Sequence, residues 1–178
     1  MNRIMKLSKK TNRIAKLIIA ILLLFLFCSP EIYAFKFEDY DWGRSIGSIR
    51  DLIKSKGKRM LVSSGDRFLS YVDTILDEEC RVTLEFTPKT KVLASIKINW
   101  SDKVTGEDVK KLLVSKYGQY QQPNVFVEEY FWYGGTQYDS IALNYDYAGT
   151  SLIYFGGRYQ EQYEKEFKDL IDEEKSRF

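Results

Sequence analysis

Apolar residues return at helical spacing in two short stretches that begin sixty positions apart. In "SIGSIRDLIKSKG", Ser45 is placed to cap a helix whose Ile46, Ile49, Leu52 and Ile53 share one face, and Gly57 supplies its stop. In "TGEDVKKLLVSKYG", Thr105 caps, Asp108 completes a capping box, Val109, Leu112 and Leu113 form the stripe, and Gly118 ends it. The stretches align position for position: Ser45 with Thr105, Ile49 with Val109, Arg50 with Lys110, Leu52 with Leu112, Ile53 with Leu113, Lys56 with Lys116. This pattern predicts an internal repeat.

After each helix the period shortens to that of strands. "RFLSYVDTIL", "CRVTLEF" and "KVLASIKINW" are separated by turn-rich "DEE" and "TPKT"; "VFVEEYFWY", "YDSIALNYDY" and "TSLIYF" are separated by "GGTQ" and "AGT". The expected fold class is α+β, an antiparallel sheet built from two helix-plus-three-strand repeats, about 42–100 and 101–157. A C-terminal helix of about 158–175 follows, with Tyr159, Tyr163, Phe167, Leu170 and Ile171 at helical spacing. No Pro/Ser-rich linker divides the halves, so residues 35–178 are expected to form one domain.

A two-residue hairpin turn at Gly134-Gly135 would set Phe131 opposite Tyr138 and Val127 opposite Ala142. One side of the sheet then carries Phe126, Tyr130, Trp132, Ile141, Leu143 and Tyr145. The other carries Val125, Val127, Phe131, Tyr133, Tyr138 and Ala142, to which a tight turn at Ala148-Gly149 adds Ile153 and Phe155. On this count both sides are too apolar to face water. Two readings stay open. Either the repeat helices cover one side and the C-terminal helix the other, through Tyr163, Phe167 and Leu170, or part of the second side is a surface on which Phe131, Tyr133 and Tyr138 anchor a partner.

The first 34 residues change the electrostatic picture. Six Lys/Arg between Arg3 and Lys16, the eleven apolar residues Leu17 to Phe27, and small Ala34 read as a cleaved export signal. The apolar run is well short of the roughly 20 residues of a membrane span, so no stable membrane insertion is expected after cleavage. Bulky Phe27 before Cys28 argues against lipid attachment. The chain holds 27 basic and 25 acidic residues; without the segment's six bases and Glu31, 21 face 24. A mature domain near −3 gives no electrostatic case for nucleic acid.

Cys80 is the cysteine left after cleavage, which excludes an intramolecular disulfide. In "CRVTLEF" alternation puts Cys80, Val82, Leu84 and Phe86 on one face and Arg81, Thr83 and Glu85 on the other. Core packing is therefore expected of Cys80.

"DYDWGRSIGSI" resembles the opening of small exported bacterial domains of unassigned function, which pass from an aromatic-rich strand through Trp-Gly-x-Ser into a helix. The helix-then-meander layout, present twice, is similar to the BamE-like outer-membrane assembly lipoproteins and to the tandem architecture of beta-lactamase-inhibitor proteins. The resemblance implies a non-enzymatic envelope module that binds a protein.

The chain contains no histidine. Ser-His-Asp and Cys-His nucleophilic machinery and most catalytic zinc sites are thereby excluded, and no metal or other cofactor is expected. Gly134-Gly135 and Gly156-Gly157 are adjacent pairs rather than a phosphate-cradling loop. The carboxylate clusters are Asp77-Glu78-Glu79, expected in a turn, Glu128-Glu129, on opposite faces of a strand, and Asp172-Glu173-Glu174, at a helix end. "DYD" at 39–41 lacks the rest of a calcium loop. Trp42-Gly43 reads either as a hinge that lays the first helix on the sheet or as the lip of a site where Trp42 stacks on a ligand.

Together these features favour a periplasmic or secreted, non-catalytic binding or scaffolding module that engages an envelope protein partner, with Phe131, Tyr133, Tyr138 and Trp42 as candidate binding residues. The alternatives are a carboxylate-based hydrolase acting on an envelope polymer and a small-ligand carrier.

Overall fold

Among the described residues, seven strands and three helices form the α+β fold that the pattern predicts, an antiparallel sheet with a C-terminal helix. The structure, a computed structural model, describes residues 35, 37–61, 66–101, 103–121, 129–134, 139–146 and 149–177. The expected export signal, Val125 to Glu128 and Tyr138 lie outside these residues. Among the described residues no helix is long and apolar enough to cross a membrane.

In chain order the elements are α1 (Ile46–Ser55), β1 (Arg59–Leu61), β2 (Phe68–Ile75), β3 (Glu78–Phe86), β4 (Leu93–Trp100), α2 (Gly106–Tyr117), β5 (Glu129–Tyr133), β6 (Ser140–Asp146), β7 (Gly149–Phe155) and α3 (Gly157–Lys175). The sheet order is β1-β2-β3-β4-β7-β6-β5, so β4 and β7 meet at its centre. The first half carries β1, a short edge strand that the strand pattern did not predict. Its three residues show too little alternation to stand out as a strand, and pairing of Met60 with Tyr71 gives them their place.

One face of the sheet is the core. Tyr71, Val82, Leu84, Ile96, Ile98, Leu152, Ile141, Leu143 and Trp132 all point into it and are buried. Helices α1 and α2 close this face with matching residues, Ile49 and Ile53 from the first, Val109 and Leu113 from the second. Ser45 and Thr105 accept from the backbone N–H of Ser48 and Asp108, so both caps form where the sequence placed them. The stripe itself needs one correction. Leu112 is 43% exposed, because the i,i+4 pair of Val109 and Leu113 already points at the sheet and the neighbouring position turns aside. Where Gly106 opens α2, a Cβ would lie 1.9 Å from the ring of Tyr145, so glycine lets α2 seat on that ring.

The turn expected at Asp77-Glu78-Glu79 is one step earlier. Leu76 and Asp77 both adopt positive φ, 59° and 61°, and Ile75 pairs with Glu78, so Glu78 and Glu79 belong to β3. A two-residue turn with both central residues left-handed matches the twist of the flanking strands. Asp77 suits such a turn, but Leu76 gives no sign of it.

Candidate functional site: the open face of the sheet

The sheet's other face is set by strand register, and it runs in three cross-strand rows. The first is Arg59, Val72, Arg81, Asn99, Ser151, Asn144 and Glu129; the second is Leu61, Ser70, Thr83, Lys97, Ile153, Ala142 and Phe131. The third is Phe68, Glu85, Ser95, Phe155, Ser140 and Tyr133. The expectation that both faces are too apolar for water is therefore corrected. It came from the second meander, and β2, β3 and β4 fill the middle of this face with Ser, Thr, Asn, Arg and Lys.

The β5–β6 register also differs from a two-residue turn. Phe131 pairs with Ala142 rather than Tyr138, and the last bond before the loop runs from the Gly134 N–H to the Asp139 carbonyl at 2.8 Å. The loop is longer by an even number of residues, so Phe131, Tyr133, Ala142, Ile153 and Phe155 still share one face. Phe131 and Tyr133 stack on each other with ring centroids 6.3 Å apart and 16° between planes. Tyr133 is 61% exposed. On the outer edge of β5, Gln121 and Phe131 exchange two backbone hydrogen bonds of 2.8 Å, so the chain caps its own sheet edge there.

Helix α3 covers the row-three end of the face, but not in the expected way. Of its apolar stripe, Tyr163 stacks on Phe167, yet Phe167 and Ile171 are 40% and 37% exposed. Polar bonds hold the helix instead. Glu166, 7% exposed, accepts from the backbone N–H of Lys89 at 2.6 Å and of Thr90 at 3.0 Å; the Thr90 hydroxyl reaches its other oxygen at 2.7 Å and Gln162 at 2.8 Å. Burial alone would raise the Glu166 pKa, but these donors outweigh it and hold it down to about 2. The loop "TPKT" was legible as a turn. That it grips a helix 76 positions away was not.

The Trp42-Gly43 stretch takes the hinge geometry. Gly43 has φ 77° and a Cβ there would meet the Tyr159 ring at 2.2 Å, while its N–H bonds the Leu93 carbonyl. The indole of Trp42 lies over Gly156, where a Cβ would come within 2.5 Å, and its N–H donates to the Phe35 carbonyl at 3.0 Å. Trp42 thus packs at the β7–α3 junction and is not brought together with Phe131 and Tyr133 on β5.

Ionisable groups on the core side are committed to structure. Lys58 bridges Glu38 and Asp73, and Lys56 joins Glu38 and Asp39 at 2.9 Å, which ties the segment before α1 to β2. Burial opposes the charge on Lys58, but its two carboxylate partners outweigh it and raise its pKa, so it stays a cation and no nucleophile. Burial pushes the Cys80 thiol up to about 11, which leaves it inert at neutral pH. Among the described residues no group of acidic and thiol side chains has a metal-binding arrangement.

Two further residues of the open face are candidate binding residues by their charge. Arg81 on β3 and Lys97 on β4 are exposed at the sheet centre, and neither enters an ion pair among the described residues. Alternation in "CRVTLEF" placed Arg81 opposite the core face; Lys97 was obscured because Ala94 and Ser95 are buried in succession. Comparison of the chain with protein-family models, with curated proteins and with solved structures finds no match in any of the three.

Proposed function

We propose that the protein is an exported, non-catalytic binding module whose open sheet face engages an envelope protein. The observation that carries this reading is the stacked pair Phe131 and Tyr133, with Tyr133 61% exposed on a face that α1 and α2 leave alone. Aromatic side chains on a rigid strand give contact area at small entropic cost, which suits a partner surface. Export rests on the charged and apolar leader of the sequence. The BamE-like resemblance rests likewise on the sequence, through the expected repeat of helix and meander.

The described carboxylates lend no support to a general acid of raised pKa. Among the described residues, the carboxylates with displaced pKa values, Asp66, Asp73, Glu107, Glu166 and Glu173, are all displaced downward. A general acid needs the opposite shift. The test replaces Phe131 and Tyr133 singly with Ser and follows melting temperature beside partner capture from envelope extract. Capture is expected to fall with melting unchanged for Tyr133→Ser. Capture that survives both changes overturns the reading.

A further inference from the structure

The open face carries its charge and its apolar surface in one line. Lys97 is directly opposite Ile153 in the second row, followed by Ala142 and Phe131, and Arg81 sits diagonally behind Lys97 in the first row. Among the described residues neither cation has an ionic partner, whereas Arg59 in the same row as Arg81 meets Glu79 at 3.7 Å. The acid in the third row, Glu85, is turned to Ser95 at 3.0 Å and to Tyr163 beneath α3. Among the described residues two cations without an ionic partner thus remain at the centre of the face, with the first-row acid Glu129 at its β5 edge, in a domain whose residues after 34 carry 24 acids against 21 bases.

Spacing limits what fits. Lys97 on β4 and Phe131 on β5 are three strand intervals apart, about 14 Å at the usual inter-strand distance. A helix crossing the strands covers that distance in about nine residues. The sheet already accepts such a crossing on this side, since α3 runs from the end of β7 past Ser95 and Glu85 to Phe167 beside Arg67.

We propose that this face seats an acidic amphipathic helix of a partner protein, its carboxylates over Arg81 and Lys97 and its apolar side over the half-buried Ile153 and Phe131, which flank the buried Ala142. This rests on the binding-module reading and adds the chemistry of the partner. Exposed ion pairs contribute little affinity, so the aromatic end supplies most of the hold, and the cations select for acid and speed encounter.

The experiment pans a random displayed-peptide library against the folded protein, then measures the enriched peptides by fluorescence anisotropy on wild type, on an Arg81→Glu/Lys97→Glu double variant and on Phe131→Ser. Enriched peptides are expected to pair Asp or Glu with aromatic or aliphatic residues and to lose at least tenfold in affinity on the double variant, with its melting temperature unchanged. Two results overturn the inference: enriched peptides without acidic bias, or equal binding to the double variant. If such peptides still lose affinity on Phe131→Ser, the binding face stands and only the acidic partner is rejected. If no peptide is enriched, the acidic-helix inference is rejected, and partner capture by the Tyr133→Ser protein decides the wider reading separately.

Discussion

Glu166 of α3 and Thr90 of the β3–β4 loop are joined twice, through the Thr90 backbone N–H and through its hydroxyl, across 76 positions of chain. Because the folded pKa of Glu166 lies at about 2, below the ordinary glutamate value, its contribution is complete above about pH 4.5 and is lost as pH falls toward 2. The Thr90 amide resonance is expected to shift across that acid window. Glu166→Gln should flatten the titration, and Glu166→Ala, which strips the acceptor from two part-buried N–H groups, should cost about 1 kcal/mol. A Thr90 amide insensitive to acid would show that the bond does not hold α3.

Leu112 and Leu113 are neighbours with different environments, the first 43% exposed and the second 1%. Leu113→Ala is expected to destabilise by about 2–5 kcal/mol, the range for truncating a buried leucine, and Leu112→Ala by less than about 0.5 kcal/mol. Denaturant unfolding measures both. Similar losses at the two sites would mean that α2 sits rotated on the sheet.

Gly156 and Trp42 form a contact with no spare room, a Cβ at 156 falling 2.5 Å from the indole. Gly156→Ala should therefore cost about 1–3 kcal/mol through overpacking. Adding Trp42→Leu should return part of that loss, and the double-mutant cycle reads the coupling directly. Additive effects would place Trp42 away from Gly156, and its hinge role would fall.

The leader predicts a processed chain that starts at Phe35. Phe35 is 4% exposed and meets Tyr117 edge-on at 4.8 Å, so a mature end at this residue is anchored by its own side chain. Intact-mass measurement of exported protein is expected to show loss of 34 residues. Cleavage beyond Phe35 should lower the melting temperature, since it removes a buried ring and the acceptor of the Trp42 indole.

Local pattern made several features legible. Ser45 and Thr105 cap because a short hydroxyl side chain reaches the next turn's N–H wherever a helix starts. Phe131, Ala142 and Ile153 share a face because strand parity survives an even change in loop length. Glu78 and Glu79 fall in a strand rather than the expected turn because the turn before them starts at Leu76, a type that does not announce positive φ.

By itself the sequence determined the α+β class, the helices and the strands other than β1, the inward pairs Ile49–Ile53 and Val109–Leu113, and the absence of histidine chemistry. These follow from interactions within a few residues, where period and capping act. Only the tertiary structure decided that β2, β3 and β4 lend polar residues to the same face as Phe131, that Lys97 lies opposite Ile153 with Arg81 diagonally behind it, and that α3 is held by Glu166 rather than by its aromatic stripe. Each of those depends on which distant strands become neighbours, and strand order at the junction of β4 with β7 is set by packing of the whole core.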